Sequence, residues 1–206
     1  EGGEGAEKQP FTVDLPKAEK WFSHGAAMHQ ATNYEYAMQC WLSGLRYDPM
    51  SMKGLEAFFK SAASFLTESG EKGPSKEMLK QFGGRGDLEK YLSALLAWAM
   101  EPRDALLAVR AAESASRLNL SEATFWLGER ALLRVAEEKK PRKDLFIKLV
   151  DIFQKVGAVD RAVVAGEAAL KLDPTDGKLA AEMRNLAAQA TMYKGGYEKT
   201  GEAGGF

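Results

Sequence analysis

The stretch Gly44-Leu45-Arg46-Tyr47-Asp48-Pro49 returns near the far end of the chain as Ala169-Leu170-Lys171-Leu172-Asp173-Pro174. A small residue, a large apolar one and two variable residues run into an Asp-Pro stop, which reads as the end of a helical hairpin. Looser copies stand at Ala97-Trp98-Ala99-Met100-Glu101-Pro102 and at Ala131-Leu132 running through Arg134 to Glu137. Recurrence of this kind signals stacked units, because one helix pair cannot bury its apolar face alone whereas three or more can. Nothing alternates with the period of two that a half-buried strand requires, so the expected class is all-α.

Working outward, Trp21 precedes Pro49 by the same 28 residues as Phe146 precedes Pro174. Between these limits Gly25, Ala37, Trp41 and Gly44 align with Val150, Ala162, Gly166 and Ala169. An aromatic knob on one helix needs a hole on the next, and the small residues supply the close approach. This pattern resembles the tetratricopeptide repeat (TPR) family. The resemblance implies a right-handed superhelical stack of antiparallel helix hairpins, about four repeats closed by a C-terminal capping helix. Ala97, Pro102 and Ala131 would take the packing positions of the middle repeats.

Pro102 and Pro174 are 72 residues apart, close to two regular repeats, but Pro49 and Pro102 are 53 apart, some 19 too many. The excess falls at about 67–87, where six glycines and prolines interrupt helical periodicity and residues 75–82 read as one short helix. The organisation expected is an N-terminal extension (1–16), a solenoid (17–193) with this insertion in its second repeat, and a Gly-rich tail (194–206). Helices are expected at 17–31, 33–47, 51–67, 88–100, 103–118, 121–139, 142–156, 159–172 and 176–193. Asp48-Pro49 and Asp173-Pro174 place a capping acceptor before a residue suited to a first helical turn, so each proline is expected to open the next helix.

With 45% apolar and 28% charged residues, a chain of 206 can bury a sizeable core. A net charge of −1 from 28 basic and 29 acidic side chains argues against a nucleic-acid partner, which draws on clustered basic charge. No apolar run approaches the ~18 residues of a spanning helix, so membrane insertion is not expected. The single cysteine, Cys40, has no internal partner for a disulfide, and a cytoplasmic address is the default expectation. A start at Glu1 without Met and a close in Gly195-Gly196 and Gly204-Gly205 suggest an excised or processed piece.

Candidate chemistry falls away residue by residue. His24 and His29 are five apart on one helix, so they point about 140° apart at roughly 100° per residue, whereas a two-histidine metal site wants a spacing of four. Cys40 beside Trp41 reads as small apolar filler. Gly83-Gly84-Arg85-Gly86 lacks the preceding strand and the Lys-Ser or Lys-Thr pair of a phosphate loop. No metal, cofactor or catalytic constellation is expected.

What remains is a surface. In proteins of the resembling family, first helices line a concave groove that holds a peptide or a partner helix. The resemblance places Phe22, Ala26 and His29 in that groove from the first repeat, and Ile147, Asp151, Gln154 and Lys155 from the last, with Lys60, Glu113 and Arg117 from the middle repeats. The expected function is a non-catalytic interaction scaffold or adaptor for a protein or peptide partner. Self-assembly into a coat or filament through the tails and capping helix is the alternative, making a homo-oligomer; a regulatory solenoid of a larger enzyme is the remote one.

Overall fold

A computed structural model describes residues 11–70, 73 and 75–201, the stretch 192–201 through its backbone alone. It is all-α: the described residues form ten helices and no strand. In order these are α1 (Leu15–Gln30), α2 (Tyr34–Tyr47), α3 (Met52–Ser69), α4 (Lys76–Phe82), α5 (Asp87–Met100), α6 (Ala105–Arg117), α7 (Ser121–Glu137), α8 (Lys143–Lys155), α9 (Val159–Leu172) and α10 (Gly177–Gly201). The described residues divide into two compact units, those up to 102 with 117–123, and those of 103–116 with 124–201.

In the first unit α1 and α2 form an antiparallel hairpin. The Asp14 carboxylate caps α1 by accepting from Lys17 N at 3.1 Å, Pro16 sits in the first turn, and Asp14 N donates to Tyr47 O at 2.9 Å, pinning the start of α1 to the end of α2. Asn33 caps α2, its side-chain oxygen accepting from Tyr36 N at 3.4 Å. The knob, however, is Phe22 and not Trp21. Phe22 is 4% exposed and presses its ring on Gly44 of α2 and Gly54 of α3, while Trp21 is only partly buried. Gly25 faces the Trp41 indole, and Ala37 is wholly buried.

The prolines act differently from the expectation. Ser51, not Asp48, caps α3, accepting from Gly54 N at 3.1 Å, and Asp176 accepts from Leu179 N at 3.0 Å at the start of α10. Pro49 is buried in the turn before α3; Pro102 and Pro174 are exposed, so neither packs a repeat, and Ala97 is only partly buried beside buried Trp98 and Ala99. A hydroxyl or carboxylate two or three residues further on makes the better cap, leaving each proline in the connecting turn.

The interruption at 67–87 is built into the core of its unit. Residues 71, 72 and 74 lie outside the described set, but α4 places Met78 and Phe82 at 0% exposure. Ser75 N donates to the Glu35 carboxylate at 2.8 Å, and the Arg46 guanidinium donates to Gln81 O at 2.7 Å, so α2 holds both ends of α4.

In the second unit α6 buries an alanine face: Ala105, Ala108, Ala111, Ala112 and Ala115 are all at 0% exposure. Small side chains along this face allow the close approach that Gly44 and Gly54 give in the first unit. Ala131 of α7 is also wholly buried. Helices α8 and α9 form the second clear hairpin, with Phe146, Leu149 and Phe153 buried on α8 and Ala162, Gly166 and Ala169 on α9. The Phe153 ring covers Gly128 of α7, and Met183 of α10 covers Gly166. Leu179, Met183 and Leu186 form the buried stripe of α10, which continues to Gly201 where a tail from 194 is expected; residues 1–10 and 202–206 of the expected extension and tail lie outside the described residues.

Candidate functional site

The second unit holds an open groove of about 370 Å³ between α6 and α8. Helix α6 contributes Glu113 and Ser116; helix α8 contributes Lys148, Asp151, Ile152, Gln154 and Lys155. Periodicity puts them there. On α8 the apolar positions 145, 146, 149, 150, 152 and 153 turn inward, leaving Lys148, Asp151 and Lys155 exposed on the other face. On α6 the buried alanines leave Glu113 at the boundary of the core.

Two contacts fix α8. At its start Lys143 Nζ donates to the carboxylates of Asp173 at 2.6 Å and Asp176 at 2.8 Å, in the turn that follows α9. Hydrogen bonds from Lys143 and Thr175 hold the Asp173 carboxyl down at about 2, and the two aspartates raise Lys143 above its ordinary range. Near its end Gln154 Nε2 donates to the Glu182 carboxylate of α10 at 3.4 Å. A groove wall held at both ends keeps its exposed charges in place without engaging them.

The structure thus brings four of the expected residues together: Glu113, Asp151, Gln154 and Lys155. Ile147 is partly buried on α8 and lies outside the groove lining; Arg117 is exposed at the end of α6. Lys60 is exposed on α3, and Ala26 is partly buried on α1. Phe22 is a correction. Its ring is spent in the core between Gly44 and Gly54, unavailable to a ligand. His29 is half used as well: its Nδ1 stands 2.9 Å from Ser61 Oγ, and its ring meets Tyr34 edge to face. Sequence reasoning missed Ser116, Lys148 and Ile152, although Lys148 lies one helical turn before Asp151 and shares its face.

Ser61 and His29 stand at the distance of a nucleophile and its base. Yet Ser61 is 0% exposed and its oxygen already accepts the Trp41 indole N–H at 3.0 Å, so the pair serves the hairpin interior. Cys40 is also at 0% exposure, and burial pushes its thiol up to about 11, keeping it protonated near neutrality. Among the described residues there is no cluster of three or more His, Cys, Asp or Glu side chains able to hold a metal, and no helix long and apolar enough to cross a membrane.

A second cavity, about 570 Å³, is lined by Phe125, residues 157–161 and Ala190. It is the larger space but the more committed one, since Arg161 Nε donates to the Glu129 carboxylate at 2.8 Å and Asp160 also has a partner. The α6–α8 groove therefore offers more unspent polar chemistry. No protein-family model matches the chain, and a comparison with curated proteins gives no significant match.

Proposed function

We propose that the chain is a non-catalytic interaction module that holds a peptide or helix from another protein in the groove between α6 and α8. The observation that carries this reading is the convergence of charged and amide side chains from two helices, not adjacent in sequence, on one open groove. Such a surface has donors and acceptors for a partner's side chains and no reacting centre of its own. The TPR-like superhelix belongs to the same proposal. Two antiparallel hairpins support it, α1–α2 and α8–α9, each with the start of its first helix tied to the end of its second or the turn just after. A net charge of −1 favours a protein partner over a nucleic acid.

The test is selection from a random peptide display library against the whole chain, followed by amide NMR titration of the selected peptides. Peptides that shift the signals of α6 and α8, and bind the Asp151→Ala/Lys155→Ala variant at least fivefold more weakly, support the reading. Selected peptides that leave α6 and α8 unmoved overturn it.

A second reading, self-association, has its own observation: α7 and α9 leave Phe125, Leu133, Val164 and Leu172 exposed at 41–59%. Exposed large apolar side chains on neighbouring helices suit a second copy of the chain. Light scattering over a hundredfold concentration range decides it, with a constant mass of 22.6 kDa removing this reading.

A further inference from the structure

Lys148, Asp151 and Lys155 make a cation–anion–cation ladder with spacing i, i+3, i+7 on the exposed face of α8. The same ladder occurs on α6 as Arg110, Glu113 and Arg117, and on α3 as Lys53, Glu56 and Lys60. These are its three occurrences in the sequence. Eight of the nine side chains are exposed, and Glu113 is partly buried in the groove lining.

Spacings of three and four residues are those at which a helix closes its own ion pairs, and elsewhere this chain does so. Lys17 pairs with Asp14 at 3.3 Å, Lys90 with Asp87 at 3.4 Å and Arg134 with Glu137 at 2.9 Å. The ladder of α8 differs, since neither Asp151 nor Lys155 has a salt bridge or hydrogen bond among the described residues; the ladder of α3 is unpaired in the same way. The α8 charges also lie in the groove.

Resting on the groove reading above, the geometry points to a partner of stated chemistry: a helical segment of another protein carrying an acid, a base and an acid at the same heptad spacing. A helix rises about 1.5 Å per residue, so its first and last acidic positions lie about 10 Å apart along the axis, as do positions 148 and 155 of α8. The partner's two acids meet these lysines and its central cation meets Asp151, with Glu113 adding to the same negative field. A helix of opposite pattern would set like charges against one another at all three positions, so the ladder selects as well as attracts.

The test uses the full chain and two helix-stabilised synthetic peptides, one with Glu, Lys and Glu at i, i+3 and i+7, the other with Lys, Glu and Lys there. Fluorescence anisotropy should give at least a tenfold preference for the first, weakening as salt is added. The variant Lys148→Glu/Asp151→Lys/Lys155→Glu should reverse that preference. All three side chains are exposed, so an unchanged Tm is expected and confirms that the variant folds. Equal binding of the two peptides, or a preference that survives the inversion, overturns the inference. If library-selected peptides still occupy the groove without this charge pattern, the ladder alone is wrong; if no peptide shifts α6 and α8, the groove reading falls with it.

Discussion

Gly44 of α2 lies against the ring of Phe22 on α1 so closely that a Cβ at this position would overlap the aromatic carbons. The same ring covers Gly54, so one phenylalanine locks three helices through two glycines. Gly44→Ala should therefore destabilise the first unit by about 1–3 kcal/mol, through overpacking. Adding Phe22→Leu should recover part of that loss, because the smaller side chain yields space. Urea unfolding of the single and double variants measures the coupling, and strictly additive effects would mean that the two residues do not share this contact.

Ser61 serves two partners at once, accepting the Trp41 N–H at 3.0 Å and standing 2.9 Å from His29 Nδ1. Ser61→Ala should cost about 1–3 kcal/mol, since it strands a buried indole donor. Trp41→Phe in the Ser61→Ala background should then cost less than Trp41→Phe alone. Equal costs in the two backgrounds would show that the hydrogen bond contributes nothing.

Tyr91 is the opposite case. Its hydroxyl is buried without a hydrogen-bond partner among the described residues, and desolvation raises its pKa well above the ordinary phenol value. Tyr91→Phe removes an unsatisfied polar atom at nearly constant volume, so Tm should stay level or rise. A fall of several degrees would reveal a partner for the hydroxyl.

Thr32, in the turn between α1 and α2, takes φ 59°, a left-handed conformation costly for a β-branched residue; the α8–α9 turn uses Gly157 at φ 72°. Thr32→Gly should stabilise by about 1 kcal/mol through relief of this strain. Thermal denaturation checks it, and a lower Tm would mean that the threonine side chain repays its backbone cost.

Asp173 carries a pH dependence of definite sign. Its folded value, about 2, lies below the ordinary 3.8, so the Lys143 pair contributes fully above about pH 4 and is lost as pH falls toward 2. Lys143 itself is shifted upward, which keeps the pair intact through neutral and mildly alkaline pH. Lys143→Met should flatten the stability profile between pH 4 and 2. An unchanged acid limb in urea midpoints would assign that limb to other carboxylates.

Much of the helical layout was legible in the residues. Breaks at Asp48-Pro49, Glu101-Pro102 and Asp173-Pro174 placed the ends of α2, α5 and α9 within a residue, because proline cannot continue a helix and the preceding residue is pushed out of helical backbone. The short helix α4 was readable too, but not that Met78 and Phe82 would be buried. A seven-residue segment has too little periodicity to say which partner covers it.

The candidate groove was half legible. The TPR resemblance named Asp151, Gln154 and Lys155 in advance, and the helical period of α8 agrees by leaving Asp151 and Lys155 on its polar side. Choosing between adjacent aromatic residues was beyond it: Trp21 and Phe22 differ by only about 100° around α1, and both suit a packing position.

Sequence by itself determined that this chain is helical, where α2, α5 and α9 stop and which face of α8 is polar, since these depend on backbone propensity, on proline and on a period of 3.6 residues. Tertiary structure decided that Phe22 is the knob, that α4 belongs to the core of its unit, and that α6 and α8 open a groove between them. Those outcomes depend on contacts between residues distant along the chain, where shape and packing volume choose among partners that the local pattern leaves equivalent.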